Sequence, residues 1–150
     1  MYKKILVPID GSDASQQGLS EAVKLAKGLG ATLRLVHVVN EFIIESGYAP
    51  ALYHQTLIDT IREAGRKVLG DAEALVRGEG VELKSDLVET LGGRAADSIV
   101  ALAKQWPADL IVMGTHGRRG LSRLAMGSDA EMVLRRSTVP VLLIRTSERG

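Results

Sequence analysis

The sequence predicts a single α/β domain built on a doubly wound, mainly parallel sheet of five strands. Short apolar runs rich in β-branched residues alternate with longer amphipathic segments along the chain. This alternation is typical of β-α-β units, whose right-handed crossovers place helices on both faces of a parallel sheet. The length of 150 residues suits one domain, and 45% hydrophobic and 25% charged residues are ordinary globular values.

The first half of the chain supplies a strand, a helix and a second strand. The compact run of residues 5–9 predicts a buried strand, which Asp-Gly-Ser ends. Ser12 or Asp13 then caps a helix with apolar residues at spacings of three and four, and Gly30 closes it. Residues 33–39 form the second predicted strand, and a loop over residues 40–51 follows it.

The remaining elements repeat the same alternation. A long amphipathic helix is predicted over residues 52–76, with Leu57 and Leu75 on its buried face. The polar character of the next strand suggests the edge of a sheet. The later predicted elements are that strand over 81–88, a helix over 95–106, a buried strand over 110–113, a loop over 114–127, a short helix over 128–136 and a last strand over 139–144.

Composition excludes several classes of function. The formal net charge of +1 gives no support to nucleic-acid wrapping or to a membrane-surface role. Cysteine is absent, which excludes disulfides, a thiolate nucleophile and cysteine-based metal centres. The apolar runs are much shorter than the roughly 18 residues of a membrane span, and the opening run is too short for a signal peptide. We therefore expect a cytoplasmic protein with no membrane or nucleic-acid partner.

Glycine, serine and arginine concentrate after the fourth predicted strand. Gly114 and Gly117 are followed by nine residues and then by Gly127-Ser128, where a helix begins. The first two glycines permit a positive φ and a close approach of the backbone to a ligand. A helix that begins at Ser128 offers unpaired N–H groups, the positive end of its dipole and a hydroxyl. This pattern predicts a phosphate site.

The predicted ends of three strands favour one common site. In open parallel sheets a ligand binds beyond the carboxyl ends of the strands, where the strand order reverses. Those ends are residues 8–10, 38–39 and 113–114. Asp10 could instead only end a strand and open a turn with Gly11, and the loop glycines could be ordinary turn residues. Their combination at the expected switch point favours the ligand role.

The spacing Gly-x-x-Gly, nine residues, Gly-Ser resembles the nucleotide-binding signature of the universal stress protein family, in its ATP-binding branch. The opening run from Ile5 to Ser12, Leu35-Val-His-Val38 and Pro140-Val-Leu-Leu-Ile144 resemble the first, second and last strands of that family. The resemblance covers essentially the whole chain. The motif is not a Walker loop or a dinucleotide loop, because Asp-Gly-Ser follows the first strand.

The resemblance implies an adenosine site at the ends of the strands. Pro8 and Asp10 would border the adenosine, with Asp10 near the ribose. Val38 would offer backbone groups to the adenine edge, and Met113 and Gly114 would lie against the base and the sugar. The resemblance also implies the strand order 3-2-1-4-5 of adenine nucleotide alpha hydrolase-like folds. A homodimer through the last strand, from Val139 to Ile144, is a further implication.

The phosphate side of the site has one departure from the family pattern. Gly117, Gly127 and Ser128 would hold the phosphates of ATP, and Arg118 is a basic candidate that could equally belong to a solvated loop face. The family commonly has an apolar residue where this chain has Asp129. A carboxylate in the first turn favours the helix by about 0.3–1 kcal/mol. It would either repel the phosphates or, with Mg²⁺, help to place the cation.

These expectations describe an ATP-binding module that acts in regulation or protection during stress, with a protein partner that the sequence does not identify. No general base aimed at a γ-phosphate is evident, so we expect no catalytic residue and at most slow ATP hydrolysis or autophosphorylation. One alternative is a stress protein that binds no nucleotide and works through dimer and partner surfaces. Another is an adenylyl-transferring enzyme, for which 150 residues leave no room for a second substrate domain.

Overall fold

The computed structural model describes residues 1–41, 51–115 and 126–146. Strands and helices alternate along the chain, and this confirms the predicted fold class. The strands are β1 Lys4–Pro8, β2 Thr32–Asn40, β3 Leu83–Thr90, β4 Leu110–Gly114 and β5 Val141–Ile144. The helices are α1 Asp13–Leu29, α2 His54–Val76, α3 Ala95–Gln105 and α4 Ser128–Arg136, and a 3-10 turn, Ala51–Tyr53, leads into α2.

The five strands form one parallel sheet in the order β3-β2-β1-β4-β5, which confirms the expected order. The direction of winding reverses between β1 and β4. The ladder between β1 and β2 extends to the pair Pro8 and Val36. The ladder between β1 and β4 ends earlier, after the pair Leu6 and Ile111. The carboxyl ends of β1 and β4 are therefore not paired with each other, and we call the space beyond these two strand ends at the switch point the cleft.

Two hydrophobic cores lie on opposite faces of the sheet. Alternate side chains of β1 pack in the two cores, with Ile5 and Val7 in the first and Leu6 in the second. The first core packs α1 and α2 against the sheet, and the second packs α3 and α4. This is the two-sided packing that right-handed crossovers produce. Among the described helices, none has both the length and the apolar character needed to cross a membrane.

Local signals set the ends of α1 as predicted. Ser12 is the N-cap, and its hydroxyl accepts a hydrogen bond from the N–H of Ser15 at 3.1 Å. A cap of this kind stabilises a helix by about 1 kcal/mol. Gly30 ends the helix in the left-handed conformation at φ 63°, where a side chain would be strained.

Helix α2 and strand β5 differ in detail from the prediction. Leu57 and Leu75 were expected on the buried face of α2, but they are 38% and 58% exposed. The buried residues of this helix form a narrow stripe, and Leu75 lies about 100° around the helix from its buried neighbour Val76. β5 begins at Val141 instead of residue 139, because Pro140 has no N–H for a ladder.

Candidate functional site

The structure brings the described members of the predicted site to one edge of the sheet, at the carboxyl ends of β1, β2 and β4 and at the start of α4. Gly117 and Arg118 lie outside the described residues. The predicted residues at this edge are Pro8, Asp10, Val38, Met113, Gly114, Gly127, Ser128 and Asp129. The edge coincides with the cleft between β1 and β4.

Asp10 is fixed in the turn that connects β1 to α1. Its Oδ1 accepts a hydrogen bond from the N–H of Ser12 at 2.8 Å, and Gly11 between them has a φ of 83°. The N–H of Asp10 donates to the hydroxyl of the buried Ser15 at 3.4 Å. The turn role that the sequence allowed for Asp10 is therefore real. It also holds the half-buried carboxylate in a defined position at the cleft.

The backbone of Val38 faces the space beyond the end of β1. Both the N–H of Thr32 and the carbonyl of Val36 bond toward β1, the first to Lys3 O at 2.9 Å and the second to Ile9 N at 2.8 Å. The backbone groups of alternate residues in a strand point to the same neighbour, so those of Val38 point in this direction as well. Since β1 has already ended, they face the cleft, where a ligand could use both a donor and an acceptor.

Gly114 is required for a different reason from the one predicted. A glycine permits a positive φ, but the positive-φ glycines among the described residues do not include Gly114. A Cβ at this position would lie 2.5 Å from the carbonyl oxygen of Ala14. The missing side chain therefore lets the first turn of α1 approach the end of β4.

A pair of backbone hydrogen bonds positions the start of α4 beside β4. The N–H of Thr115 donates to the carbonyl of Ile144 at 3.0 Å, and the carbonyl of Thr115 accepts from the N–H of Gly127 at 2.6 Å. Gly127 is the N-cap of α4, and the helical hydrogen bonds begin with Glu131 N to Gly127 O at 3.0 Å. The earlier N–H groups of the first turn have no helical partner and carry the positive end of the dipole.

Two carboxylates and one guanidinium set the charge of the described part of the site. The pKa of Asp129 is raised, mainly because the surrounding protein removes water from its carboxyl and secondly because the carboxylate of Asp10 is close. Arg94 opposes this rise and lowers the pKa. Asp10 and Asp129 therefore lie within each other's electrostatic field. Among the described residues there is no group of three side chains suited to hold a metal ion alone.

Sequence reasoning missed the contribution of the segment after β3. Asn40, at the end of β2, donates from Nδ2 to the carbonyl of Gly93 at 3.3 Å, and Arg94 follows as the N-cap of α3. This contact places Arg94 at the same edge as the predicted residues. The signal was present in the sequence, because Gly92 and Gly93 mark the carboxyl end of a predicted strand, but that end was not considered as part of the site.

Comparison with known proteins identifies close similarities over the whole chain. The family model described as "Universal stress protein family" matches residues 1–145. A universal stress protein of Methanocaldococcus jannaschii is 32% identical over 149 residues, which cover 99% of this chain and 85% of that protein. A universal stress protein of Bacillus subtilis is 33% identical over 151 residues, which cover 97% of this chain and 100% of that protein.

Solved structures show the same fold. A hypothetical protein whose biochemical function was assigned from its structure superposes with a TM-score of 0.85 at 27% identity, with 99% of each chain covered. A universal stress protein in complex with cAMP gives a TM-score of 0.69 at 26% identity, with 97% of this chain and 98% of that chain covered. One from Archaeoglobus fulgidus in complex with dAMP gives 0.67 at 26% identity, with coverage of 95% and 98%.

Proposed function

Because the chain belongs to the universal stress protein family, we propose that it binds an adenine nucleotide at the carboxyl edge of its sheet. One observation carries the proposal: the cleft between β1 and β4 gathers the fixed carboxylate of Asp10, the outward backbone of Val38 and the first N–H groups of α4, which have no helical partner. These groups suit a ribose, an adenine edge and a phosphate, respectively. Structural neighbours bound to cAMP and dAMP support this class of ligand.

The specific ligand that we propose is ATP, bound alone or with Mg²⁺. The donors of α4 fit phosphate oxygens, and Asp10 and Asp129 are oxygen ligands of the kind that Mg²⁺ accepts together with phosphates. Gly117 and Arg118 belong to this proposal as sequence-predicted residues of the connecting loop. No residue of the described site is assigned to catalysis, so the module would act by binding, in a regulatory or protective role during stress.

Ser128→Pro tests the phosphate side of the site with little change to the fold. Proline is well tolerated as the first residue of a helix, and Gly127 already has the extended conformation, φ −61° and ψ 149°, that a following proline requires. The substitution removes the N–H and the hydroxyl of Ser128 together. We expect ATP to bind at least about tenfold more weakly in calorimetric titration, since a hydrogen bond to a charged group is lost.

Ser128→Ala is the matched control, because it removes the hydroxyl and keeps the N–H. Adenosine affinity should be unchanged in both variants, and the thermal unfolding midpoints should match that of the parent protein. Equal ATP affinity in the proline variant and the parent would remove α4 from the site. Absence of binding in the parent itself, with no nucleotide released on denaturation, would contradict the nucleotide proposal and favour action through protein surfaces.

We also propose that the chain forms a homodimer through β5, as the sequence led us to expect. β5 is the last strand of the sheet, so one side of its backbone has no strand partner among the described residues. Its Leu142 is 39% exposed, and Leu134 on the adjacent α4 is 47% exposed. An apolar edge of this kind needs a cover. The same surface is the feature that favours the second candidate function, action through dimer and partner contacts without a nucleotide.

Leu142→Lys should weaken the dimer. The side chain is partly exposed in the isolated chain, so the fold should tolerate a charge there, while a symmetric contact would place two lysines close together. We expect the dimer dissociation constant to rise at least about tenfold in sedimentation equilibrium. Leu75→Lys, on the exposed side of α2, is the control and should leave the mass unchanged. A parent protein that is monomeric, or a variant that dimerises normally, would refute this interface.

A further inference from the structure

We propose that Arg94 binds the phosphates of the nucleotide and that, in the free protein, it offsets the charges of Asp10 and Asp129. This inference rests on the proposed function and deepens it, because it assigns a further cation that helps an acidic cleft to accept an anion.

The backbone around Arg94 is held by contacts on both sides. Before it, the carbonyl of Gly93 accepts from Asn40 at the end of β2. After it, the carbonyl of Arg94 accepts from the N–H of Asp97 at 3.0 Å, and the N–H of Arg94 lies 3.4 Å from Oδ2 of Asp97. β2 is the direct neighbour of β1 in the sheet, so Arg94 lies one strand away from the strand that leads into Asp10. Its long side chain therefore starts from a fixed point at the carboxyl edge of the sheet.

Helix α4 lies on the same face of the sheet as α3. An ion pair between Asp97 in the first turn of α3 and Arg136 at the end of α4 joins the two helices. The charge of Arg94 reaches Asp129 in the first turn of α4 and lowers the pKa of its carboxyl. The guanidinium thus acts on the helix end that is proposed to hold phosphate, although it comes from another helix.

Among the described residues, the guanidinium of Arg94 differs from those of Arg62 and Arg136 in having no carboxylate partner. Arg62 and Arg136 bond to carboxylates, with Arg62 Nη2 at 2.8 Å from Glu89 and Arg136 paired with Asp97. Within residues 1–41, 51–115 and 126–146, no carboxylate forms such an ion pair with Arg94. The residue is also exposed. Its planar fork of donors suits two phosphate oxygens at once.

The charges of the described site favour a cation such as Arg94 at this edge of the sheet. A helix N-terminus contributes roughly half a positive charge. Asp10 and Asp129 contribute two negative charges when both are ionised, so α4 alone does not make the cleft favourable for an anion. A full positive charge from Arg94 offsets much of this excess before the ligand arrives. When phosphates bind, the guanidinium can contact them directly.

Arg94→Gln tests the proposal through its dependence on the number of phosphates. We expect ATP affinity to fall at least about tenfold, AMP affinity to fall less, and adenosine affinity to change less than about twofold. Arg94→Lys keeps the charge without the fork and should lose part of the ATP affinity. Arg135→Gln on α4 makes the same change of net charge at an exposed residue paired with Glu131, and should bind as the parent does.

A second measurement in the free protein separates this proposal from the proposed function. Arg94→Gln should raise the pKa of Asp129 further, as followed by carboxyl NMR titration, since an opposing positive charge has been removed. An unchanged pKa would place Arg94 away from the site and overturn the proposal. Equal ATP affinity of the parent and the Arg94→Gln variant would also overturn the proposal for Arg94. The proposal that the chain binds a nucleotide would stand in that case. A parent that binds neither ATP nor adenosine would refute both.

Discussion

Gly114→Ala is expected to destabilise the protein by about 1–3 kcal/mol, the usual range for an overpacked interior site. The added Cβ would lie 2.5 Å from the carbonyl oxygen and 2.6 Å from the carbonyl carbon of Ala14. Both are backbone atoms, so no side-chain rotation can relieve the clash, and α1 must move away from β4. Chemical denaturation followed by circular dichroism would measure the loss of unfolding free energy.

Gly28→Ala provides the control, because it adds a Cβ to α1, the helix that Gly114→Ala would displace. Apart from its chain neighbours and the backbone of its own helix, no heavy atom of the described residues lies within 4 Å of the position its Cβ would occupy, and its φ is not positive. The substitution should be neutral or should stabilise α1 by up to about 1 kcal/mol, the difference in helix propensity between glycine and alanine. Equal stability of the Gly114 variant and the parent would show that α1 does not press on the end of β4 in solution.

Asp129→Asn is expected to tighten the binding of ATP at neutral pH when no Mg²⁺ is present. The pKa of Asp129 is raised by the loss of surrounding water and by Asp10, so its carboxyl ionises at a higher pH than an ordinary aspartate. Above that pKa the carboxylate repels phosphate. ATP affinity of the parent should therefore decrease as the pH rises through the pKa of Asp129, and calorimetry across this range should show a flatter profile for the variant.

The raised pKa of Asp129 also predicts how the free energy of unfolding depends on pH. Because the folded-state pKa lies above the unfolded value, the contribution of Asp129 to unfolding free energy is fully present below the unfolded pKa. It is lost as the pH rises through the folded pKa. Asp129→Asn should therefore gain stability relative to the parent over this interval. Glu131→Gln removes one charge from the same helix and should show neither this gain nor the change in ATP affinity.

Mg²⁺ separates the two roles that the sequence left open for Asp129. Repulsion alone predicts that the asparagine variant binds ATP more tightly with or without the cation. A role in placing the cation predicts instead that Mg²⁺ improves ATP binding in the parent and not in the variant. A variant whose affinity and pH profile match the parent under both conditions would contradict either role.

The fold could be predicted from the sequence because its signals are local. The cap at Ser12, the left-handed Gly30 and the periodic apolar residues each act within one or two turns of chain. The structure places the elements in the predicted order, although β3, β5 and α2 begin two residues later than predicted. The exposure of Leu75 was not predictable in this way. Its neighbour Val76 is buried instead. Which of these two adjacent apolar residues is buried depends on how α2 is rotated about its axis against β2 and β3.

The sequence predicted where the candidate site lies better than it predicted why particular residues are needed there. The rule that ligands bind where winding reverses pointed to Asp10, and the structure places that residue beside the cleft. The packing of Gly114 on Ala14 brings together residues 100 positions apart, which no local pattern can show. Arg94 was missed although Gly92 and Gly93 mark the end of a predicted strand, because only the contact between Asn40 and Gly93 shows that this strand end lies next to the site. The roles of individual residues stay predictions until binding is measured.

The early end of the ladder between β1 and β4 has a mechanical consequence. β2 and β3 are joined over eight residue pairs, from Leu33 and Leu83 to Asn40 and Thr90, whereas β1 and β4 are joined over two. The strand ladder therefore joins the two halves of the sheet less extensively at the switch point than it joins β2 to β3. A ligand bound across the unpaired ends of β1 and β4 would add contacts between the two halves where the ladder provides the fewest.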